Sequence, residues 1–120
     1  CGVAACPVSN RTLGHGAAPV AAMRQAHIRL GIGSDSMASN DRMDMLRESR
    51  LALGDRSGEE AVWELATMGG ARALRLDHLI GSLEAGKQAD LAAFPSGADS
   101  RAPTGAVFVA VAGRALLLPA

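Results

Sequence analysis

Short apolar runs alternate with amphipathic, helix-like segments in the first third of the chain. The run over residues 2–6 predicts a strand that ends at Pro7 and is followed by a loop. The segment from about Pro19 to His27 predicts a helix with proline in its first turn, and residues 28–33 predict a second strand. Strand, loop, helix and strand at this spacing predict a βαβ crossover, which makes the two strands parallel.

Helical periodicity returns after the second strand. Residues 41–53 predict a helix, for which Asn40 or Asp41 is the expected N-cap. Gly54 follows the last periodic residue and is expected to end this helix.

A further helix is predicted after residue 56. Ser57 and Glu60 have the spacing of a capping box, which satisfies two backbone N–H groups at a helix start. The pair Gly69 and Gly70 predicts a break in this helix, and residues 70–76 predict another short one.

The pattern changes near residues 77–82 from helices to turns and short strands. The C-terminal part of the chain is therefore predicted to be β structure, after an α/β beginning. The predicted elements are a tight turn over 84–87, a strand over 89–94, a polar loop over 95–105, and a hairpin over 106–120 that turns near Gly113 and Arg114.

Composition allows a buried core and excludes two classes of partner. The 120-residue chain is 48% apolar, and its 12 basic and 12 acidic residues leave no net charge. That balance argues against nucleic acid or an anionic membrane as the main partner, and no apolar run approaches the roughly 18 residues of a membrane span. Cys1 and Cys6 are too few for a disulfide framework, so a reducing cytoplasm is the expected location.

Asp35 is the most informative polar residue because it follows the predicted second strand directly. The segment GIGSDSMASN over residues 31–40 places one carboxylate at the strand end and small polar side chains after it. A strand end is a rigid mount for a reactive group. The structural alternative is a turn or helix N-cap aspartate, which is common after strands.

Six motifs follow one another along the chain: CPVSN (6–10), LGHG (13–16), LGIGSDSMASN (30–40), ATMGGARALRLD (66–77), IGSLEAGKQADLAAF (80–94) and VAGRALL (111–117). Together they resemble the closing part of the metal-dependent amidohydrolase superfamily. They are most like the cytosine deaminase and chlorohydrolase-like branch. The resemblance implies a (β/α)8 barrel, with residues 1–79 forming its last two strand–helix units and residues 80–120 the C-terminal part of a small β-sandwich.

The resemblance also implies an activity. For this chain it implies hydrolysis of a C–N bond other than a peptide bond, and we expect deamination of an amino-substituted heterocycle by water that a zinc or iron ion activates. An amide or halide leaving group stays open, because the activation of water is the same. At the matching position, Asp35 would bind the metal and carry the proton of the attacking water. His15, Asn10 and Ser36 are candidate contacts to a small-molecule substrate. Each has a structural alternative: an exposed loop histidine, a loop brace and a turn cap, respectively.

The chain departs from the family in its histidines. The family has a His-x-His pair on its first strand and two further histidine ligands, whereas the three histidines here, His15, His27 and His78, match none of these. A zinc site needs about three or four protein ligands. Together with the initial Cys1, this predicts a C-terminal fragment that alone binds no metal and is inactive. The alternative is a non-catalytic remnant that self-associates or completes a partner chain, such as the missing N-terminal part, through its exposed strand edges.

Overall fold

The computed structural model describes residues 1–94 in full, and the backbone of two later strands. We number the elements in chain order. The strands are β1 (Gly2–Ala5), β2 (Arg29–Ile32), β3 (Leu91–Ala93), β4 (Phe108–Val111) and β5 (Arg114–Leu116); the helices are α1 (Pro7–Thr12), α2 (Val20–Gln25), α3 (Met45–Leu53), α4 (Glu59–Glu64) and α5 (Gly70–Leu74), with a π-helical turn at Leu65–Gly69 between the last two.

The predicted βαβ crossover is confirmed. β1 and β2 pair in parallel, from Gly2 opposite Arg29 to Ala5 opposite Ile32, and α2 lies between them in the chain. Because the strands are parallel, the segments that follow them leave from the same edge of the sheet.

The segment after β1 was predicted as a loop, and this is wrong: it is α1. Pro7 occupies the first turn, where a missing N–H group costs little and the fixed φ suits a helix. The side chains of Val8 and Ser9 are buried, at 3% and 2% exposure. Tertiary burial thus stabilises a helix too short for local propensity to form it.

The start of α3 also differs from the prediction. Neither Asn40 nor Asp41 is its N-cap; the cap is Asp44, whose Oδ1 accepts hydrogen bonds of 3.0 Å from the N–H groups of the helix's second and third residues. The predicted end is confirmed, because Gly54 is the C-cap with a φ of 81°. A positive φ is easily adopted by glycine.

The predicted capping box before α4 is wrong. Gly58 is the N-cap and no side chain caps this end. The hydroxyl of Ser57 instead donates back to the carbonyl oxygen of Leu53 at 3.1 Å, and so closes the turn after α3.

Gly69 and Gly70 do not break the last long helix, contrary to the prediction. Both have helical backbone angles, and the chain passes through the π-helical turn directly into α5. A Cβ on Gly69 would lie 3.0 Å from the carbonyl oxygen of Leu30, and a Cβ on Gly31 would lie 3.0 Å from the Cα of Gly70. Gly69 and Gly31 therefore allow this helix to pack closely on β2.

The core lies between the β1–β2 pair and the helices that cover it. Its buried cluster is aliphatic, which agrees with a chain that is only 2% aromatic. Its members are Ala5, Val20, Leu30 and Leu65.

A second sheet contains the later strands. β3, β4 and β5 pair in that order, each antiparallel to the next, which confirms the predicted hairpin between the last two. The predicted turn over 84–87 is confirmed by a hydrogen bond of 3.2 Å from the N–H of Lys87 to the carbonyl oxygen of Glu84. The polar loop predicted over 95–105 lies outside the described residues. Among the described helices, none has the length and apolarity needed to cross a membrane.

Candidate functional site

Two polar side chains meet where β1 and β2 end. Ser9 lies on α1, just after β1, and Asp35 lies in the loop just after β2. The buried Ser9 hydroxyl donates a hydrogen bond of 2.6 Å to Oδ2 of Asp35. This contact joins residues 26 positions apart, so it depends on the parallel pairing of the strands.

A second serine holds the same carboxylate oxygen. The Ser39 hydroxyl donates to Oδ2 of Asp35 at 3.2 Å, and Ser39 is only 5% exposed. Asp35 itself is exposed. The hydroxyl of Ser9, and then that of Ser39, lowers the pKa of Asp35 below its ordinary value, because both bonds favour the charged form. At neutral pH the cluster therefore presents an ionised carboxylate to solvent.

The backbone of Asp35 adopts the left-handed conformation, with a φ of 60°. Aspartate accepts this conformation more readily than most residues, although glycine suits it best. Asp35 does not cap α3, since Asp44 does so. It has a local partner in Ser39 and a distant one in Ser9, so its contacts extend beyond a local turn.

A fully buried glutamate lies behind this cluster. Glu48, on α3, is 0% exposed. Its Oε2 accepts a hydrogen bond of 3.0 Å from the backbone N–H of Val8, and its Oε1 accepts one of 2.6 Å from Nδ2 of Asn40. Glu48 thus connects the helix after β1 to the loop after β2.

Asn40 orders the loop that carries Asp35. Its Nδ2 also donates to the carbonyl oxygen of Ser34 at 2.9 Å, and its Oδ1 accepts from the N–H groups of Arg42 and Met43 at 3.3 Å. Asn40 is 2% exposed, so these bonds satisfy a buried amide.

Sequence reasoning missed Glu48 because a glutamate inside an amphipathic helix normally lies on the solvent side. The sequence carried no signal for it, because the segment after Pro7 was predicted as a loop, which has no helical N–H groups in need of an acceptor. In the structure the helix that begins at Pro7 has Cys6 as its N-cap, which makes no side-chain capping bond, so its first N–H groups need an acceptor from elsewhere.

Of the three predicted substrate contacts, one lies in the Asp35 cluster and two lie outside it. Ser36 belongs to it, because its hydroxyl lies 3.3 Å from that of Ser39. Asn10 is half-buried on α1, and its N–H donates to the carbonyl oxygen of Cys6. His15 is exposed in the turn that follows, and its N–H donates to the carbonyl oxygen of Asn10. Within residues 1–94, no hydrogen bond joins the side chains of Asn10 or His15 to Asp35.

Cys6 lies close to both carboxylates but is a poor nucleophile. Burial raises the pKa of its thiol, and the negative charges of Asp35 and Glu48 raise it further. The thiol therefore remains protonated at neutral pH, which excludes a ready thiolate here.

The residues of this part of the chain do not form a complete metal site. Among the described residues, no three histidine, cysteine, aspartate or glutamate side chains are placed to hold one ion together. Asp35 can offer a single ligand, which does not fix a catalytic zinc by itself.

A cleft of about 540 Å³ opens beside the loop that carries His15. Gly14 and Gly16, which flank that histidine, line it together with Arg11 and Leu51. Asp35 is not among its lining residues, so the cleft and the carboxylate are separate features.

Known proteins resemble this chain in sequence and in structure. The 5-methylthioadenosine/S-adenosylhomocysteine deaminase of Moorella thermoacetica is 46% identical over 99 residues, which cover 75% of this chain and 23% of the relative. An adenosine deaminase from Xanthomonas campestris, solved with bound zinc, superposes with a TM-score of 0.79 at 34% identity over 94% of this chain and 31% of its own. The guanine deaminase of E. coli gives a TM-score of 0.78 at 26% identity, over 97% and 33%.

The chain therefore spans a third or less of these relatives. A match to the model of the amidohydrolase family extends over residues 1–114, which is almost the whole chain. The α/β arrangement described above fits the folds of the deaminases that it resembles. On these grounds the chain belongs to the amidohydrolase family.

Proposed function

We propose that this chain forms the closing part of a metal-dependent deaminase that acts on the amino group of a purine nucleoside. The observation that carries this proposal is the ionised Asp35 carboxylate, held by Ser9 where two parallel strands end. The names of the relatives indicate the substrate class, since the Moorella protein is a 5-methylthioadenosine/S-adenosylhomocysteine deaminase and the Xanthomonas protein an adenosine deaminase.

Asp35 supplies a proton acceptor and one metal ligand in this proposal. A divalent ion, zinc or iron, lowers the pKa of water toward neutrality when it is bound. The carboxylate of Asp35 accepts a proton from the attacking water and returns it to the amino nitrogen, so that a C–O bond forms, the C–N bond breaks and ammonia leaves. The hydrogen bonds from Ser9 and Ser39 keep the carboxylate oriented for both transfers.

The proposed complete fold is a (β/α)8 barrel with an accessory β-sandwich. Residues 1–79 would form its last two strand–helix units and residues 80–120 the C-terminal sandwich strands. In the described part of the chain, β1 and β2 form a sheet of only two strands. Parallel sheets normally contain more strands and are covered on both faces, which supports pairing of β1 and β2 with strands from the missing N-terminal part or from a second copy.

We further propose that the protein works in the cytoplasm on a small-molecule substrate. Cys1 and Cys6 are both free thiols, which suits a reducing compartment. Asn10, His15 and Ser36 remain the candidate substrate contacts, with Ser36 the best supported because its hydroxyl adjoins that of Ser39.

The same observations favour a second candidate function. The two-stranded sheet of β1 and β2, and the lack of a full ligand set among the described residues, also suit a non-catalytic remnant that associates with itself or with a partner chain. Size-exclusion chromatography and metal analysis of the isolated chain test this candidate. A folded monomer would argue against association through strand edges, and stoichiometric zinc would argue against an incomplete site.

A chimera tests the catalytic proposal directly. Residues 1–120 replace the matching C-terminal segment of the Moorella deaminase, and ammonia release is measured with 5′-methylthioadenosine, S-adenosylhomocysteine and adenosine after zinc loading. We expect turnover in the parent chimera, and a loss of about 10²- to 10⁴-fold in kcat after Asp35→Asn, the range for removing a general acid or base.

The matched control is Asp41→Asn. It makes the same chemical change at an exposed aspartate, which pairs with Arg47 on the surface instead of with Ser9. This variant should keep near-normal kcat. Comparable activity in the two variants would remove Asp35 from the reaction, and an inactive parent chimera would contradict the proposed function.

A further inference from the structure

We propose that Glu48 is a positioning residue that holds Asp35 in its working orientation by fixing both of the serines bonded to it. The catalytic part of this inference rests on the proposed function. The structural part rests on contacts described above and has its own test.

The first connection runs from Glu48 to Ser9. Oε2 of Glu48 accepts the N–H of Val8, which is in the first turn of α1 and has no intrahelical acceptor. Cys6 provides no capping bond, so the glutamate acts as the cap from a different helix. Ser9 is the next residue, and its position follows that of the first turn; its hydroxyl then bonds to Asp35 at 2.6 Å.

The second connection runs from Glu48 to Ser39. Oε1 of Glu48 accepts Nδ2 of Asn40, which also donates to the carbonyl oxygen of Ser34. Ser34 precedes Asp35 and Ser39 precedes Asn40, so these bonds fix both ends of the short loop that contains the carboxylate. Both connections begin at Glu48 and end at the carboxylate of Asp35.

Both neighbours of Glu48 are hydrogen-bond donors, and this explains the need for a carboxylate. Glutamine could accept from one neighbour only, and would turn its own NH₂ group toward the other. Asn40 cannot simply rotate to compensate, because its Oδ1 already accepts from two backbone N–H groups. Burying a charged group is costly, and an apolar side chain would fill a core at lower cost. A fully buried carboxylate with two donors therefore suits the task of holding two segments in register.

The first experiment measures amide hydrogen exchange in the unmodified 120-residue chain. The N–H of Val8 should be protected to the same degree as the intrahelical N–H groups of α1, although its helix offers it no acceptor. Rapid exchange at Val8 in a folded chain would overturn the inference without any substitution.

The second experiment uses Glu48→Gln in the zinc-loaded chimera. We expect kcat to fall by about 10- to 100-fold, the usual loss when a group that orients a metal ligand is removed, with zinc content retained and KM within about threefold. In the same variant one of the two connections must open, so either the N–H of Val8 loses its protection or, if Asn40 turns, the N–H groups of Arg42 and Met43 lose theirs. Glu60→Gln is the matched control, because Glu60 is exposed in the first turn of α4; it should change neither quantity.

The outcomes separate this inference from the proposed function. If the parent chimera deaminates none of the three nucleosides, the proposed function fails, and exchange at Val8 together with the Ser9 Oγ to Asp35 Oδ2 distance in a crystal structure of Glu48→Gln still decides the connection. If the parent is active and Glu48→Gln lowers only its thermal stability, with kcat per zinc unchanged, Glu48 is merely structural and the inference is wrong.

Discussion

Replacing each of two adjacent glycines by alanine should change stability in opposite directions. Gly69 and Gly70 both have helical backbone angles, so either alanine gains about 0.5–1 kcal/mol from its lower conformational entropy in the unfolded chain. A Cβ on Gly70 meets nothing within 4 Å, whereas one on Gly69 lies 3.0 Å from the carbonyl oxygen of Leu30 and 3.0 Å from Cδ1 of Leu65.

The size of the expected difference follows from what can move. The tip of Leu65 can rotate away, but the Leu30 oxygen belongs to the backbone of β2 and moves only with the strand. Inserting a methyl group into such a contact costs about 1–3 kcal/mol. After the entropic gain is subtracted, Gly69→Ala should destabilise the chain by about 1 kcal/mol, while Gly70→Ala stabilises it by about 0.5–1 kcal/mol.

Urea unfolding of the 120-residue chain, followed by circular dichroism, measures both variants against the parent with a shared m-value. The two midpoints should move to opposite sides of the parent midpoint, and the melting temperatures should differ by several degrees, at about 4 °C per kcal/mol. Equal shifts in the same direction would refute the reasoning, because they would show that the helix does not approach β2 as closely at Gly69 as the structure indicates.

Two further predictions concern the helix cap and the carboxylate cluster. Asp44→Ala removes the acceptor for the N–H groups of Leu46 and Arg47 and should cost about 1 kcal/mol in thermal unfolding, and an unchanged midpoint would contradict its role as the N-cap. Ser9→Ala should raise the pKa of Asp35 toward its ordinary value of 3.8, as measured by NMR titration of the carboxyl carbon. Because the pKa of Asp35 is lower in the folded chain than in the unfolded chain, ionised Asp35 stabilises the fold above pH 3.8, and this contribution is lost as the pH falls through the folded pKa. The stability of Ser9→Ala should therefore fall less steeply than that of the parent on acidification below about pH 4. An identical pKa in the variant and the parent would show that the bond to Ser9 does not form.

Much of the frame could be predicted from the spacing of apolar residues. The two apolar runs around Val3 and Leu30 are short, and a helical segment separates them. A helical crossover of this kind joins parallel strands, and the structure has this pairing. The end of α3 could be predicted at Gly54 because helices commonly end at a glycine with a positive φ, which depends on local sequence alone.

The errors occurred where tertiary contacts decide local structure. The segment after Pro7 contains polar and turn-favouring residues, yet it is helical because Val8 and Ser9 are buried and a distant glutamate caps its start. Gly69 lies within continuous helix because its small size lets that helix pack closely on β2. Neither effect is visible in a window of neighbouring residues.

The candidate site was predicted in part. Asp35 follows a run of apolar residues in the sequence, which predicts a position just after a strand, and the structure places it in the loop after β2. Its partners Ser9 and Ser39 could not be assigned, because the bond across 26 residues requires the strand register. Glu48 was out of reach for the same reason, since its two partners lie on segments that only the fold brings together.

The left-handed backbone at Asp35 does not favour an aspartate, so the fold alone does not require a carboxylate at this position. Glycine is the residue that this torsion angle favours, and a glycine there would relieve the backbone while leaving the strand pairing of β1 and β2 untouched. A single codon change from aspartate to glycine would therefore remove the carboxylate while the pairing of the two strands remains. A chain that loses the proposed metal ligand through this change need not lose its fold.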